Sequence, residues 1–518
     1  MLKQVGWAAV VVSMLLPAHA FADGFFGSSG ASGSQGPEVH LSADDDDYDN
    51  GETYDTDLGA EVGFASLDHI TYLAPTLAAD IRINMFQLAF RAPLRFHMSD
   101  WSLREQDWDE ASDFFRLGQC VRIDWSAEGR FQRERGFCRP WDVVKDDYYV
   151  STRLAPIQDF SLGHGTILNG FSNTIDPDHF QSAVVTDFQL HEFVTGHLLL
   201  DNVTNPNLMG GTISFQPFAY EREETEDSYE ESNRFQLELT AVSDIGAPDR
   251  VLTAFGRPIS DNHANLLYTR KPVTVLGADL QYRYIFGRQI NFELHADANY
   301  IADHGMGSHA QALFIYNHPD GIYSWRGVGE FRYVERDYIP NYFDSYYFIQ
   351  RQQFNLTAQA SDASAGIGDA IVTKQQFLNS LPRGQFDAGY YIALEGEVYS
   401  GEGSDRRVVA NGRVYIADNL GRNADGQFLV SLGLHRLGGE FDVTALYSRQ
   451  NWSMLRDIFQ LNNTLIKLLV RWDFSEYFYL LMNYGRIWQL VADASSGGAG
   501  YQSQNELTFS LGYSGDVR

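Results

Sequence analysis

Acidic and histidine side chains crowd one stretch of this sequence, residues 176–197. They fall in two groups, Asp176-Pro177-Asp178-His179 and then Asp187, His191, Glu192 and His197. A carboxylate that orients a histidine can form the general base of a hydrolytic site, and the same residue types bind zinc. The spacing is generic, however, and Asp-Pro-Asp-His is also typical of a turn. We therefore keep a hydrolase as an alternative and expect that the chain is not an enzyme.

A second candidate for chemistry is a calcium loop in the acidic run that ends near residue 58. Asp46, Asn50 and Asp57 fall at positions 1, 5 and 12 of the EF-hand pattern. Tyr48 occupies position 3, where an oxygen ligand is expected, and such a run is more typical of a solvated tail. The three residues are kept as a calcium candidate only, and no cofactor is expected.

The pattern that recurs along the chain is a polar or charged group on every second residue. Between Ile290 and Tyr300, apolar and polar residues alternate without a break. A strand points successive side chains to opposite faces, so this segment has one apolar and one wet face. Opposite charges cluster on the wet faces, as in the lining of a water-filled lumen. The residues predicted to line it are Asp279, Arg283, Glu293, His295, Asp297, Glu330, Arg332, Glu395, Glu397, Lys467 and Arg471. Each can instead brace the wall through an ion pair.

The elements that must position these residues are strands. No alternating block of strands and helices appears, which argues against a parallel α/β sheet. A soluble β-sandwich also alternates, but it rarely absorbs so many strands in one domain. The predicted fold class is therefore all-β, a transmembrane antiparallel up-and-down β-barrel. At roughly 25 to 30 residues per strand and link, about 14–18 strands are expected. The net charge of −30 makes nucleic acid an unexpected partner, because phosphate contacts need concentrated positive charge.

Three regions are predicted along the chain. Residues 1–22 read as a signal peptide, with Lys3, an apolar core and the A-x-A site Ala18-His19-Ala20. Residues 23–58 form a flexible Gly/Ser-rich and acidic segment. Residues 59–518 form the barrel, with a hairpin excursion near 99–150. In an exported protein, Cys120 and Cys138 are expected to form a disulfide that clamps this hairpin.

The signal sequence, the two-residue repeats and the aromatic strand ends resemble the outer-membrane β-barrels of Gram-negative bacteria. The segment Leu507–Tyr513 resembles their C-terminal assembly signal, although Ser-Gly-Asp-Val-Arg follows its aromatic residue. This resemblance implies a place in the cell outer membrane, contact with its lipid and insertion by the barrel-assembly machinery. Three phrases are similar to uncharacterised predicted barrel proteins, myxobacterial ones among them: residues 103–110 (LREQDWDE), 162–166 (LGHGT) and 332–340 (RYVERDYIP). That narrower likeness implies no known function.

The function that these patterns favour is a porin-like channel or exporter, in which a polar solute passes passively through a charged lumen. One alternative is a structural or adhesin barrel whose lumen is plugged and whose external loops bind a ligand. A second is a barrel hydrolase that uses the Asp/His segment at 176–197. A third is a soluble secreted β-protein, which would need no detergent. Single-channel conductance separates the channel from the other three.

Overall fold

The computed structural model describes residues 54–516 with gaps. The gaps are residues 68–69, 84–85, 109–113, 115–117, 127–147, 158–159, 174–180, 192, 218–234, 255–256, 260–265, 287–288, 353, 355–371, 402–406, 421–425, 438–439, 453–454, 460–463, 476 and 494–497. The predicted signal peptide, Asp46, Asn50 and Cys138 therefore lie outside the described residues. The disulfide between Cys120 and Cys138 stays a prediction.

Most of the described chain is strand. The first strands are β1 (Tyr54–Leu67), β2 (Ile70–Leu73), β3 (Thr76–Ile83), β4 (Phe86–Pro93), β5 (Phe96–His97), β6 (Gly118–Ser126), β7 (Tyr149–Ala155), β8 (Phe160–Leu162), β9 (Leu168–Phe171) and β10 (Ala183–His191). Next come β11 (Val194–Leu200), β12 (Leu208–Phe215), β13 (Phe235–Asp244), β14 (Pro248–Val251), β15 (Thr253–Ala254), β16 (Arg257–Pro258), β17 (Tyr268–Arg270), β18 (Val273–Phe286), β19 (Ile290–Ile301), β20 (Met306–Asn317) and β21 (Tyr323–Glu335). The last are β22 (Phe343–Asp344), β23 (Phe386–Ser400), β24 (Arg407–Leu420), β25 (Gly426–Leu437), β26 (Phe441–Trp452), β27 (Thr464–Asp473), β28 (Phe478–Asp493) and β29 (Gly498–Asp516). Two helices, α1 (Tyr347–Gln350) and α2 (Lys374–Ser380), lie between β22 and β23.

The wall is one closed antiparallel sheet. Twenty strands cross it within the described residues, because β2 continues the course of β3 and β5 continues that of β4. The first of these courses is interrupted at Ala74 and Pro75, and proline cannot donate to a ladder. Consecutive wall strands pair with each other, and β29 pairs back with β1, Leu511 opposite Val62. The predicted fold class is confirmed, and the strand number is above the about 14–18 expected from typical links. Links shorter than assumed explain the difference: only three residues separate Phe286 from Ile290.

The polarity of the wall is inverted relative to a soluble protein. On β13, Leu239 is 64% exposed on the outer face, while its neighbours Glu238 and Thr240 are 7% and 9% exposed on the inner face. The alternation predicted for β19 is also present, with Leu294 exposed and Glu293 buried. A closed sheet with an apolar exterior satisfies every ladder hydrogen bond without water and matches hydrocarbon outside.

Exposed aromatic residues lie near both ends of the strands. At one end, Tyr333 stacks on Phe386 with ring centroids 4.9 Å apart. At the other end, Phe441 stacks on Trp472 at 5.5 Å. These positions correspond to the two aromatic girdles of a membrane barrel. Among the described residues, no helix is long and apolar enough to cross a membrane.

The two ends of the barrel differ in their links. We call the end where β1 starts and β29 stops the turn end, and the opposite one the loop end. Most links at the turn end are short, as between β18 and β19, whereas the longest links, 156–182, 245–272 and 336–385, leave at the loop end.

The structure also shows where the predicted regions fall. The wall starts at Tyr54, so Asp57, part of the calcium candidate, lies in β1 and pairs with the backbone of Asp516 and Asp80. The hairpin predicted near 99–150 contains two wall strands, β6 and β7, which pair with each other. Cys120 lies on β6, at the position opposite Ala89 of β4.

Candidate functional site: the charged inner face and the plug

Described parts of two long links, 156–182 and 336–385, pack on the inner face of the wall. We call three segments of these links, residues 160–173, 336–352 and 372–381, the plug. Within it, β8 and β9 form a small antiparallel pair, and β22 adds to β9 in parallel. The plug and the wall share the main buried apolar cluster, in which Phe171, Phe343 and Tyr347 meet wall residues such as Val242 and Val275. Burial of these rings against the wall is the main force that can hold the plug in place.

The plug bridges the lumen at the loop end. The Tyr347 hydroxyl donates to Asp244 Oδ2 on β13 at 2.7 Å. The adjacent Tyr346 hydroxyl donates to the Ser448 carbonyl on β26 at 3.1 Å and accepts from Leu465 N–H on β27 at 3.0 Å. Around the wall, β13 and β26 are separated by β18–β21 and β23–β25. Neighbouring residues of one helical turn therefore reach well-separated parts of the wall.

Buried ion pairs hold the same helical region. Arg351 Nη1 lies 3.3 Å from Asp244 Oδ2, and both side chains are almost fully buried. Arg351 Nη2 also donates to the Gly246 carbonyl at 2.9 Å. Lys374 Nζ, at the start of α2, lies 3.2 Å from Asp344 Oδ2 and donates to Gln350 Oε1 at 2.8 Å. Because these charges are taken out of water, the contacts between them are costly to break.

The turn that begins at Asp201 connects β11 to β12 and hydrogen-bonds to the plug. The Asp201 carbonyl accepts from Asn173 Nδ2 at 2.8 Å, and its Oδ1 accepts from Asn207 N–H at 3.0 Å. Oδ2 is buried without a hydrogen bond among the described residues. Burial raises the pKa of Asp201 to about 7, and the charge of Arg351 only partly opposes this.

The raised pKa of Asp201 predicts that stability falls as the pH rises. The native state holds this proton more tightly than the unfolded chain does, because the pKa of an aspartate in the unfolded chain is near 3.8. The stabilising contribution is therefore complete below about pH 4 and is lost as the pH rises through about 7. Thermal unfolding of the wild type in detergent should have a lower midpoint temperature at pH 8 than at pH 5. In Asp201→Asn, the difference between these two midpoints should be smaller. Asp320→Asn, in an exposed turn, is the control. If the midpoint difference is the same in Asp201→Asn as in the wild type, the pH dependence does not come from Asp201.

Seven of the eleven predicted lining residues lie together on β18, β19 and β21. They are Asp279, Arg283, Glu293, His295, Asp297, Glu330 and Arg332, and all lie on the inner face. Arg283 Nε donates to Glu293 Oε1 at 2.6 Å, and Arg332 Nε donates to Glu330 Oε1 at 2.5 Å. The first pair links β18 to β19, and the second lies within β21.

The other four lining residues lie elsewhere on the inner face. Glu395 on β23 lies between Arg413 at 3.2 Å and Arg326 at 3.6 Å. Glu397 accepts from Ser324 Oγ at 3.2 Å. The other two, Lys467 and Arg471, are on β27, where Arg471 Nε donates to Asp473 Oδ1 at 2.7 Å. The predicted residues therefore share a face and form separate groups along it.

The turn-end half of the lumen keeps accessible charge. Arg283 and Arg326 each lie near the turn end of their strands, with side chains 37% and 48% exposed. Their partners Glu293 and Glu395 are more buried, at 8% and 15%. The described residues therefore leave solvent space beside these guanidinium groups, whereas the plug packs at the loop end.

His164 is a residue of this region that the sequence pattern did not predict as catalytic or lining. It lies in the plug between Gly163 and Gly165, whose φ angles of +58° and +75° favour glycine. This turn aims His164 at β18 and β19, where its Nε2 lies 3.2 Å from Asp279 Oδ1. Burial by itself lowers the pKa of His164, but the hydrogen bond and charge of Asp279 outweigh it and raise the value. A histidine between two glycines, in a segment without alternation, was the available signal.

The Asp/His segment at 176–197 is only partly described. Residues 176, 178, 179 and 192 lie outside the described residues. His197 Nδ1 lies 2.5 Å from Asp187 Oδ1 on the neighbouring strand, which is the orientation of a histidine base. Within the described part of the chain, no serine or threonine hydroxyl hydrogen-bonds to His197.

No protein-family model matches this chain, and no curated protein sequence matches it. Solved outer-membrane proteins align along most of its length. OccAB2 of Acinetobacter baumannii is 8% identical, over 90% of this chain and 98% of that one, with a TM-score of 0.30. OpdK of Pseudomonas aeruginosa is also 8% identical, over 90% and 99%, with a TM-score of 0.28. A ferric enterobactin receptor mutant from the same species is 9% identical, over 90% and 81%, at 0.32. Because these TM-scores are low, the assignment as a bacterial outer-membrane β-barrel rests on the wall itself. The wall is a closed sheet with an apolar outer face and a polar inner face, which is the architecture of such barrels.

Proposed function

We propose that this chain is a porin-like channel that lets a polar solute pass through its charged lumen, with the plug restricting passage at the loop end. The observation that carries the proposal is the exposure of Arg283 and Arg326 on the inner face. Solvated charge on the inner face is typical of a barrel whose interior holds water. Charged groups beside water inside a barrel set the electric field that a passing solute meets.

We also propose that passage is passive, that the outer face contacts outer-membrane lipid and that the barrel-assembly machinery inserts the chain. Neither catalysis nor a nucleic-acid partner is part of the proposal. The narrower resemblance to myxobacterial barrel proteins stays a prediction.

A structural or adhesin barrel with a plugged lumen is the second candidate. The observation that favours it is the bridge made by Tyr346 and Tyr347 across the lumen. If the plug never moves, the long links at the loop end remain as the surface for a ligand. The two candidates differ in whether the refolded protein conducts ions.

Conductance in a planar bilayer tests the proposal. We expect stable steps, and we expect that Arg283→Gln with Arg326→Gln lowers the permeability ratio of anions to cations, because both changes remove exposed positive charge. The reversal potential under a salt gradient measures this ratio. The control is Arg250→Gln. Arg250 is an exposed residue of β14, which lies at the loop end and not in the turn-end half of the lumen, so this change should leave the permeability ratio unchanged. Absence of steps, both here and in a variant with a released plug, would favour the structural barrel.

A further inference from the structure

Three potential metal ligands meet where the plug touches the wall. His164 of the plug, Asp279 of β18 and His295 of β19 each offer one ligand atom, and these atoms all lie within 4.8 Å of one another. His164 Nε2 is 2.8 Å from His295 Nδ1 and 3.2 Å from Asp279 Oδ1. Within the described residues, this is the one group of three such side chains with that spacing.

The polar atoms of this group are poorly served by the protein. The Asp279 side chain is nine-tenths buried; its Oδ1 has the contact with His164 Nε2 at 3.2 Å, and its Oδ2 has no hydrogen bond among the described residues. The two imidazole nitrogens that face each other at 2.8 Å cannot both present lone pairs, so one of them carries a proton that the other accepts unless a cation replaces that proton. A buried carboxylate beside facing imidazoles is expensive unless a proton or a cation lies between them.

We propose that His164, Asp279 and His295 bind a divalent transition-metal ion of the zinc type, which fastens the plug to the wall. Two histidines and one carboxylate, with a fourth position left for water, make a common zinc ligand set. Around a tetrahedral zinc ion with bonds of about 2.0–2.1 Å, neighbouring ligand atoms lie about 3.3 Å apart. The His164–Asp279 separation of 3.2 Å already fits. The two histidine rings, whose facing nitrogens are 2.8 Å apart and whose centroids are 3.6 Å apart, have to separate and turn for both to bind the same ion.

The surroundings of His295 fit the same assignment. Its ring faces His164 through Nδ1, while its buried Nε2 has no hydrogen bond among the described residues and lies 3.5 Å from Glu293 Oε2, which is near enough to accept one after a small shift. A carboxylate on the far nitrogen of a metal-bound histidine fixes the tautomer that leaves the near nitrogen free to bind. Glu293 is itself held by Arg283 and by Gln281, whose Nε2 donates to it at 3.1 Å.

The ligand chemistry also selects among cations. Calcium and magnesium prefer oxygen ligands, whereas imidazole suits zinc and its transition-metal neighbours. One carboxylate and two imidazoles therefore favour zinc over the alkaline-earth ions that are abundant outside the cell. Because the ligands come from both the plug and the wall, binding requires the docked plug.

Zinc titration of the full, tag-free protein in detergent tests the proposal. Calorimetry of protein treated with EDTA should show one Zn²⁺ site that a millimolar excess of Ca²⁺ does not occupy. His164→Ala and His295→Ala should each weaken this site at least tenfold, and Glu293→Gln should weaken it by about 10–100-fold because it removes the carboxylate beside His295 Nε2. Zn²⁺ should also raise the thermal midpoint of the wild type but not of either histidine variant.

The matched control is His435→Ala, which removes a histidine that pairs with Asp442 at 3.3 Å on the wall. We expect it to keep wild-type affinity for Zn²⁺. Because His164 lies in a turn of the plug, its loss should leave the barrel folded, which heat-modifiable migration on a gel verifies. Equal zinc affinity in the wild type and in His164→Ala, or no wild-type binding at all, overturns the proposal. Either result leaves the channel proposal untouched, since conductance is measured separately.

Discussion

Replacing Arg351 by alanine is expected to release the plug and raise the conductance of the channel. The change leaves the Asp244 carboxylate, which is fully buried, without its cationic partner. Breaking a buried ion pair by removing one partner costs about 3–5 kcal/mol. If the strand pairing of the wall is unchanged, the lost free energy weakens the docking of the plug. The ratio of undocked to docked plug then rises by roughly a hundredfold or more. Single-channel recording would show larger or longer open steps.

The control for this experiment is Arg250→Ala, which removes an exposed arginine of β14 from a different long link, 245–272. It should record like the wild type. Heat-modifiable migration on a gel confirms that each variant still forms a barrel. Unchanged recordings from a correctly folded Arg351→Ala protein would show that this ion pair does not control passage.

Placing an arginine on the outer face should destabilise the barrel in lipid. Leu239 lies in the middle of β13, opposite Ile213 and Ala278, and its side chain faces outward. At the middle of a bilayer, an arginine on the lipid side of a barrel costs about 2–4 kcal/mol. We expect Leu239→Arg to lose this much stability in a urea titration of the protein in lipid vesicles.

The same strand supplies a matched control for depth. Ile245 follows β13 directly at the loop end and is also exposed. Near the interface, the same change to arginine costs only about 0–1 kcal/mol. An equal loss in Leu239→Arg and Ile245→Arg would contradict the placement of the outer face in lipid.

The wall could be predicted from the sequence because its rule is local. A strand with lipid outside and water inside must alternate, so Glu293 and Leu294 could be assigned to opposite faces from their types alone. The same parity placed Glu330 and Arg332 on the inner face. The number of strands was harder, because it was estimated from an average length of strand and link, and the link between β18 and β19 is only three residues long.

The plug could not be predicted, because its elements obey no period. Strand β9 has four residues and helix α1 has four, too few for either repeat to emerge. Their structure depends on tertiary partners, as when Tyr347 meets Asp244, which is 103 positions away in the chain. The meeting of His164 with His295 spans 131 positions, and no local pattern around His164 specifies it.

The pairing of β1 with β29 has a kinetic consequence. The seam joins Val62 to Leu511, so the ring can close only after nearly all of the described chain has been synthesised. Contacts this distant in sequence are slow to form, because the chain loses the entropy of loop closure before the contacts stabilise it. Until β29 arrives, β1 presents an unpaired edge that can add a strand from another molecule. Productive folding therefore requires that this edge be shielded during the wait, and the seam is where misassembly into chain-to-chain aggregates should begin.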